Sequence, residues 1–267
     1  MRFSPSLCIS FVAVSTVLAS CDSARTQKTG FLDRSLSLHG TTYKYQVFVP
    51  ENWSPKQSWP VILFLHGVDE RGSDGRRQSG VGLPRAIRED RSRFPTIVVI
   101  PQCLADHWWS EPGMEEMALG ALAAATEEFH GDAKRTYLTG LSMGGYGSWV
   151  LATQCPGKFA AIVPIGGWII VPKRVLEAYP ESARNSLPDN SKSGDYVAAK
   201  IGKTPVWIFH GSADNVVPVE GSRKIYGVLK AAGANVRYTE YLGAGHNSWD
   251  KAYAEPELMP WLLSKSL

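Results

Sequence analysis

The chain has 267 residues, 44% of them hydrophobic and 20% charged, with ten tyrosines and nine tryptophans, an apolar load that excludes a disordered chain. Once an N-terminal leader is set aside, about 247 residues remain, which suits one large α/β domain and would cramp two. The formal net charge is only +3, no basic run is longer than Arg76-Arg77, and four cysteines are too few for a disulfide-stapled miniprotein, so neither a nucleic-acid partner nor a cystine scaffold has support.

Residues 1–20 read as a leader: Arg2 is the only charge in an apolar stretch running through Ile9, Phe11, Val12, Val14, Val17 and Leu18. The stretch ends in Leu18-Ala19-Ser20-Cys21, which resembles a bacterial lipobox. Ordinary cleavage after Ala19, with Cys21 incidental, is the other reading. Small residues before the cysteine and a polar segment after it favour lipidation of Cys21. Residues 21–39 are then expected to be a lipidated tether holding residues 40–267 beside a membrane, exported to the bacterial cell envelope.

Along the body, Thr41 to Pro50 alternates as a half-buried strand does. Pro60 to Leu65 and Thr96 to Ile100 are continuous apolar runs, the pattern of strands buried on both faces. A Gly/Arg-rich loop and a short helix, Leu83 to Glu89, separate them. Met114 to Phe129 has helical composition. A short strand, Arg135 to Thr139, precedes a helix over Gly144 to Thr153. Phe159 to Pro164, Pro205 to Phe209 and Val236 to Tyr241 read as further strands, with helices over Val219 to Ala232 and Pro256 to Ser264. Strands alternating with helices predict an α/β fold with a mostly parallel sheet covered on both faces. Residues 166–203 are too long for a plain connection and read as a small cap insertion.

Gly140-Leu141-Ser142-Met143-Gly144 places a serine between a predicted strand and a predicted helix, the context of a nucleophile elbow. A serine hydroxyl needs a base. Among six histidines, His246 stands in a glycine-rich loop after the last predicted strand, where a base can reach over the sheet's carboxyl edge. His66 and His210 precede glycines at strand ends, a structural or loop-shaping position, although His66 is also a candidate for the substrate side. His39 and His130 read as surface residues, and His107 as a possible substrate contact. The base needs a carboxylate to fix its tautomer. Asp214 lies just past a buried strand and gives the order Ser, Asp, His; Asp250 is the competitor, better suited to start the final helix. An oxyanion hole would take the Met143 amide and, from the loop after Leu65-His66-Gly67, the Val68 amide.

Together these segments resemble an α/β-hydrolase of the esterase group that includes feruloyl-esterase-like and polyhydroxybutyrate-depolymerase-like proteins, some described as predicted peptidases. The resemblance rests on LHGVDERG (65–72), IPQC (100–103), RTYLTGLSMGGYGSW (135–149), KFAAIVPIGG (158–167), TPVWIFHGSADNVVP (204–218) and GAGHNSWD (243–250). It implies the triad Ser142, Asp214 and His246, with no metal and no organic cofactor. It also implies that Glu70 and Arg71 brace the oxyanion loop as a pair. The chain departs from the family pattern at Val68-Asp69, where relatives often carry a small residue and glycine, and at Gly166-Gly167, where close relatives often carry a cysteine.

Trp108, Trp109 and Trp168 are candidates for aromatic walls beside a sugar or aryl group. Arg76 and Arg77 suit either a solvated loop or attraction of an acidic substrate. Cys103 and Cys155 are expected to be separate thiols, because a continuous helix would carry Cys155 about 20 Å from the sheet edge. The reading that results is a lipid-anchored serine esterase acting on a small-molecule ester. A serine peptidase of the same fold is the alternative, and a non-catalytic lipoprotein that binds carbohydrate through its aromatics is a third reading from another class.

Overall fold

The computed structural model describes residues 29–169 and 193–267. The leader, Cys21 and residues 170–192 of the expected insertion lie outside the described residues.

An apolar run becomes a strand buried on both faces only when helices cover both sides of its sheet. β3 (Trp59–Leu65) and β4 (Ile97–Pro101) are such strands, with every residue buried. They lie near the centre of an eight-stranded sheet that also contains β1 (Gly30–Leu38), β2 (Thr41–Val49), β5 (Gly131–Leu141), β6 (Ala161–Ile165), β7 (Val206–Gly211) and β8 (Val236–Tyr241), in the order β1-β2-β4-β3-β5-β6-β7-β8. The pairings of β1 with β2 and of β2 with β4 are antiparallel, and all the others are parallel.

Side chains alternate across this sheet, so each central strand feeds two cores. Val61, Leu63 and Leu65 of β3 enter one core, and Ile62 and Phe64 enter the other. The first core is closed by α2 (Pro112–Glu128), α3 (Met143–Gln154), α4 (Ser193–Ile201) and α5 (Glu220–Ala231). The second is closed by α1 (Leu83–Glu89), α6 (Trp249–Ala254) and α7 (Leu258–Leu263). This is the α/β-hydrolase architecture expected from the alternation of elements.

Two expectations need correction. Residues 30–38 of the supposed tether form β1, paired with β2 along its whole length. Leu32 is buried in the first core with Leu36 and Leu38 packed against it, and Arg34, which interrupts this alternation, is held by Glu128 and the Phe129 ring. The last part of the supposed cap, Ser193–Ile201, is helix α4, which buries Val197 and Ile201 in the core beneath the sheet. It is therefore an ordinary covering helix. Cys103 is a buried thiol with no bridge to Cys155, which stands at the far end of an unbroken α3.

Candidate active site

In an open parallel sheet, ligands meet the carboxyl ends of the strands. Ser142 sits there, in the one-residue turn between β5 and α3, with φ 52° and ψ −117°. A positive φ is costly for a residue with a side chain and persists only where the surroundings over-determine it. Here the Ser142 amide donates to the Ile165 carbonyl at 2.9 Å, and its own carbonyl accepts from the Tyr146 amide at 3.0 Å. Glycine at 140 and 144 lets the elbow close, because a Cβ on Gly140 would lie 2.3 Å from the Gly144 carbonyl oxygen.

His246 arrives on the loop after β8. That loop is seated on the end of β7: the Ala213 amide donates to the Ala244 carbonyl at 2.9 Å, and the Gly243 amide to Ser212 Oγ at 2.8 Å. A side chain at Gly211 would clash with both the Ala244 and Gly245 carbonyls, so this approach requires glycine. The result is a continuous chain of hydrogen bonds. His246 Nε2 lies 2.9 Å from Ser142 Oγ, and His246 Nδ1 lies 2.7 Å from Asp214 Oδ2. The carboxylate side can only accept, so Nδ1 carries the proton and Nε2 is left to accept the serine hydroxyl proton.

Asp214 is buried, and its Oδ1 accepts the Val216 and Val217 amides at 2.9 and 2.8 Å. Burial by itself opposes its charge. Hydrogen bonds from His210, His246 and the Val217 amide outweigh that effect and hold the carboxyl well below the usual carboxylate range. Asp250 is not the acid of this chain of bonds: it lies in the first turn of α6, accepts from Asn247 Nδ2 at 2.9 Å and faces Arg85 at 3.7 Å.

Beside the serine, Met143 and Val68 each begin a helical turn, and the first amides of such a turn have no acceptor within it. The two turns adjoin, since a Cβ on Gly67 would lie 3.7 Å from Ser142 Cβ. Glu70 and Arg71 brace this loop through separate contacts. Arg71 Nε donates to the Val68 carbonyl at 3.0 Å, and its Nη1 donates to the His107 carbonyl at 3.2 Å. The Glu70 carboxyl accepts the Gly67 amide; burial and the charge of Asp69 raise its pKa.

Several sequence candidates stand elsewhere. His66 and Trp109 are both 0% exposed. His66 Nδ1 donates to the Gly67 carbonyl at 2.6 Å, Nε2 accepts the Cys103 amide at 2.9 Å, and burial lowers its pKa to about 4. Trp109 Nε1 donates to the His66 carbonyl at 3.0 Å. Both residues therefore shape the strand end and are closed to substrate. Trp108 and Trp168 are 8% and 6% exposed; the first lies beneath Arg71 and the second stacks on Tyr146 at 5.9 Å. They pack against these neighbours and form no open wall. His107 is half-exposed and bonded to Glu111 at 2.7 Å, while His39 and His130 are at the surface as expected. Arg76 is 79% exposed, in keeping with a solvated loop.

The residue whose place at the site sequence reasoning missed is His210. It is fully buried, with Nε2 3.2 Å from Asp214 Oδ2. Its spacing of four residues before Asp214 is the only sequence signal of that contact.

The chain is similar in sequence and in fold to several known hydrolases. The chain is 26% identical over 215 residues to a poly(3-hydroxyoctanoate) depolymerase of Pseudomonas fluorescens, covering 74% of this chain and 71% of that enzyme. It is 27% identical over 124 residues to acyl-protein thioesterase 1 of Gibberella zeae, covering 46% of each. Among solved structures, a thermostable esterase superimposes with a TM-score of 0.70 at 30% identity, covering 89% of this chain and 63% of that one. A ferulic acid esterase superimposes with a TM-score of 0.69 at 17% identity, covering 87% and 97%. The chain thus spans less than half of the thioesterase and under two thirds of the thermostable esterase. The model of the prolyl oligopeptidase family matches residues 106–264, more than half of the chain and inclusive of Ser142, Asp214 and His246, and the chain belongs to that family.

Proposed function

We propose that this chain is a serine carboxylic-ester hydrolase that works through an acyl-enzyme on small aryl, acyl or sugar-linked esters. The observation that carries this reading is the run of bonds from Ser142 Oγ through His246 to a buried, ionised Asp214. Ser142 Oγ attacks the ester carbonyl while His246 Nε2 takes its proton, and Asp214 balances the imidazolium that forms. The Met143 and Val68 amides receive the oxyanion, aided by the positive end of α3. His246 then gives its proton to the departing alcohol. Water, activated by the same base, releases the acid and restores Ser142. The ester preference draws support from the depolymerase and esterase relatives.

A fluorophosphonate probe is expected to label the wild type and to leave Ser142→Ala unlabelled; labelling that survives the substitution would sink the assignment. A panel of aryl, feruloyl, acetyl-sugar and short-chain esters then reads the substrate class. Peptide cleavage by the same residues is the second reading, favoured by the family match over residues 106–264. Hydrolysis of aryl and acetyl esters with oligopeptides left intact rejects it.

The position of Cys21 after Leu18-Ala19-Ser20 supports a further part of the proposal, that the domain is lipid-anchored in a bacterial envelope. The full chain made in a bacterial host would then partition into detergent, and Cys21→Ser would move it to the aqueous phase. An unchanged partition rejects the anchor.

A further inference from the structure

His210 stands at the carboxyl end of β7, where its ring is enclosed by the loop that bears Asp214 and by the first turn of α5. Nε2 lies 2.9 Å from the Val217 carbonyl oxygen and 3.2 Å from Asp214 Oδ2, and Nδ1 lies 2.8 Å from Ser222 Oγ. A carbonyl oxygen only accepts, so Nε2 carries a hydrogen. In the tautomer with its one hydrogen on Nε2, Nδ1 accepts from the Ser222 hydroxyl, which is itself buried. Every polar atom in the group is matched by this one tautomer. Val217 closes the circuit: its amide donates to Asp214 Oδ1 at 2.8 Å while its carbonyl accepts from His210.

We propose that His210 is a positioning residue of the active site, the second imidazole on Asp214, which keeps that carboxylate oriented toward His246 and too weakly basic to take the proton from it. The proposal rests on the serine-hydrolase reading above. Asp214 Oδ2 receives the His246 N–H at 2.7 Å and the longer arm of the His210 Nε2–H at 3.2 Å, the same hydrogen whose shorter arm reaches the Val217 carbonyl at 2.9 Å. Each donor draws charge from the oxygen. The first consequence is geometric, because four donors on two oxygens leave the carboxylate one orientation. The second is electronic, because an oxygen already serving His210 binds the His246 imidazolium less tightly than a bare one would. The other charged groups near His210 are Glu240, its neighbour in register on β8, and Arg223 of α5, which grips Glu240 at 2.6 Å. That pair is internally neutralised, so Asp214 and His246 are the charges His210 acts upon.

Removing the His210 donor leaves His246 as the only ring N–H on Oδ2. The imidazolium is then held more tightly, and the acidic limb of kcat/KM moves to higher pH. A side chain that merely filled space would alter stability and the folded fraction, and the limb would stay in place. The test compares His210→Phe and His210→Gln with the wild-type full chain on p-nitrophenyl acetate between about pH 5 and 9. Active sites are counted with a fluorophosphonate so that misfolded protein drops out of the rate. His210→Phe is expected to lower kcat/KM per active site about ten- to hundredfold and to raise the acidic limb by about half a pH unit. His210→Gln, whose amide can donate to Asp214 and accept from Ser222, is expected to stay within about threefold of the wild type. An unmoved limb in His210→Phe, or a glutamine variant as impaired as the phenylalanine one, overturns the proposal. A measurement on the wild type needs no variant to fold: histidine nitrogen-15 spectra are expected to show His210 protonated at Nε2 and bare at Nδ1, and the reverse tautomer overturns it. Wild type that hydrolyses no ester and resists the probe would overturn the hydrolase reading and this proposal with it; an active wild type with an unmoved limb overturns this proposal alone.

Discussion

A β-carbon on Gly144 would lie 1.9 Å from the carbonyl oxygen of Leu65, so α3 and β3 meet backbone to backbone directly behind the nucleophile. The elbow holds its serine at positive φ because no side chain intervenes there. Backbone on both sides cannot yield as the end of a flexible side chain can. Gly144→Ala is therefore expected to lose about 3 kcal/mol or more in urea unfolding, with activity falling alongside. Gly227 is the contrast: it lies exposed in the middle of α5 with open space around it. Gly227→Ala is expected to gain about 0.5–1 kcal/mol through the ordinary entropy of a helical glycine. Equal effects from the two substitutions would show that the contact behind Ser142 costs nothing.

The oxyanion role of Val68 can be separated from its role in the fold. Val68 opens a helical turn, where proline is tolerated because its missing N–H has no partner in the turn. Gly67 before it is extended, at φ −78° and ψ −176°, which is compatible with a following proline. Val68→Pro is thus expected to fold while deleting one donor, and kcat on activated esters should fall about 10²–10³-fold. A proline variant with wild-type kcat would remove Val68 from the oxyanion hole.

Ser142, Asp214 and His246 were legible in the sequence because local chemistry marks each of them: glycines flank the elbow, and the acid and base follow separate strands in the required order. The two cores were legible for a similar reason, since short runs such as Val61 to Leu65, closed by a turn at His66-Gly67, have the pattern of a strand covered on both faces. What was not legible depends on contacts between distant segments. β1 hides its alternation behind Arg34, whose charge is met by Glu128 some 94 residues away. α6 is six residues long, too short for a helical period to declare itself. The tryptophans at 108, 109 and 168 could face a cleft or a core on composition alone, and tertiary packing put them in the core. His210 looked like a strand terminator because its link to Asp214 exists only once the loop folds back.

Glu115 gives a pH test of the fold that is independent of the site. Its carboxyl, on the buried face of α2, is pushed up to about 7 by burial, with a hydrogen bond from Gln154 opposing the rise. Between the ordinary carboxyl value and about 7 the folded chain holds a proton that the unfolded chain has released, so stability falls as pH rises through that window. Glu115→Gln mimics the protonated form. Its advantage over the wild type is expected to be near zero below about pH 4 and to reach about 3 kcal/mol above neutrality. Unfolding curves that stay parallel across this range would show that Glu115 ionises freely in the folded state.

Every contact to the Asp214 carboxylate is a donor: the Val216 and Val217 amides on Oδ1, and the His246 and His210 rings on Oδ2. An asparagine there must turn its NH2 toward one of these pairs. Facing the backbone amides, it sets N–H against N–H in a buried site. Facing the rings, it forces His246 to accept at Nδ1 and to carry its proton on Nε2, where it can no longer receive one from Ser142. Asp214→Asn is accordingly expected to lower kcat/KM by about 10³–10⁴-fold. It should also destabilise the fold by about 2–3 kcal/mol near neutral pH through the mismatched donors. The pH dependence follows from a folded carboxyl held below its unfolded value of about 3.9. Such a group contributes its full stability above the unfolded value and loses it as pH falls through the folded one. The part of the stability gap between wild type and Asp214→Asn that comes from the carboxylate should therefore shrink below about pH 4. A gap that persists unchanged into acid would mean that Asp214 is not held as the anion by its four donors.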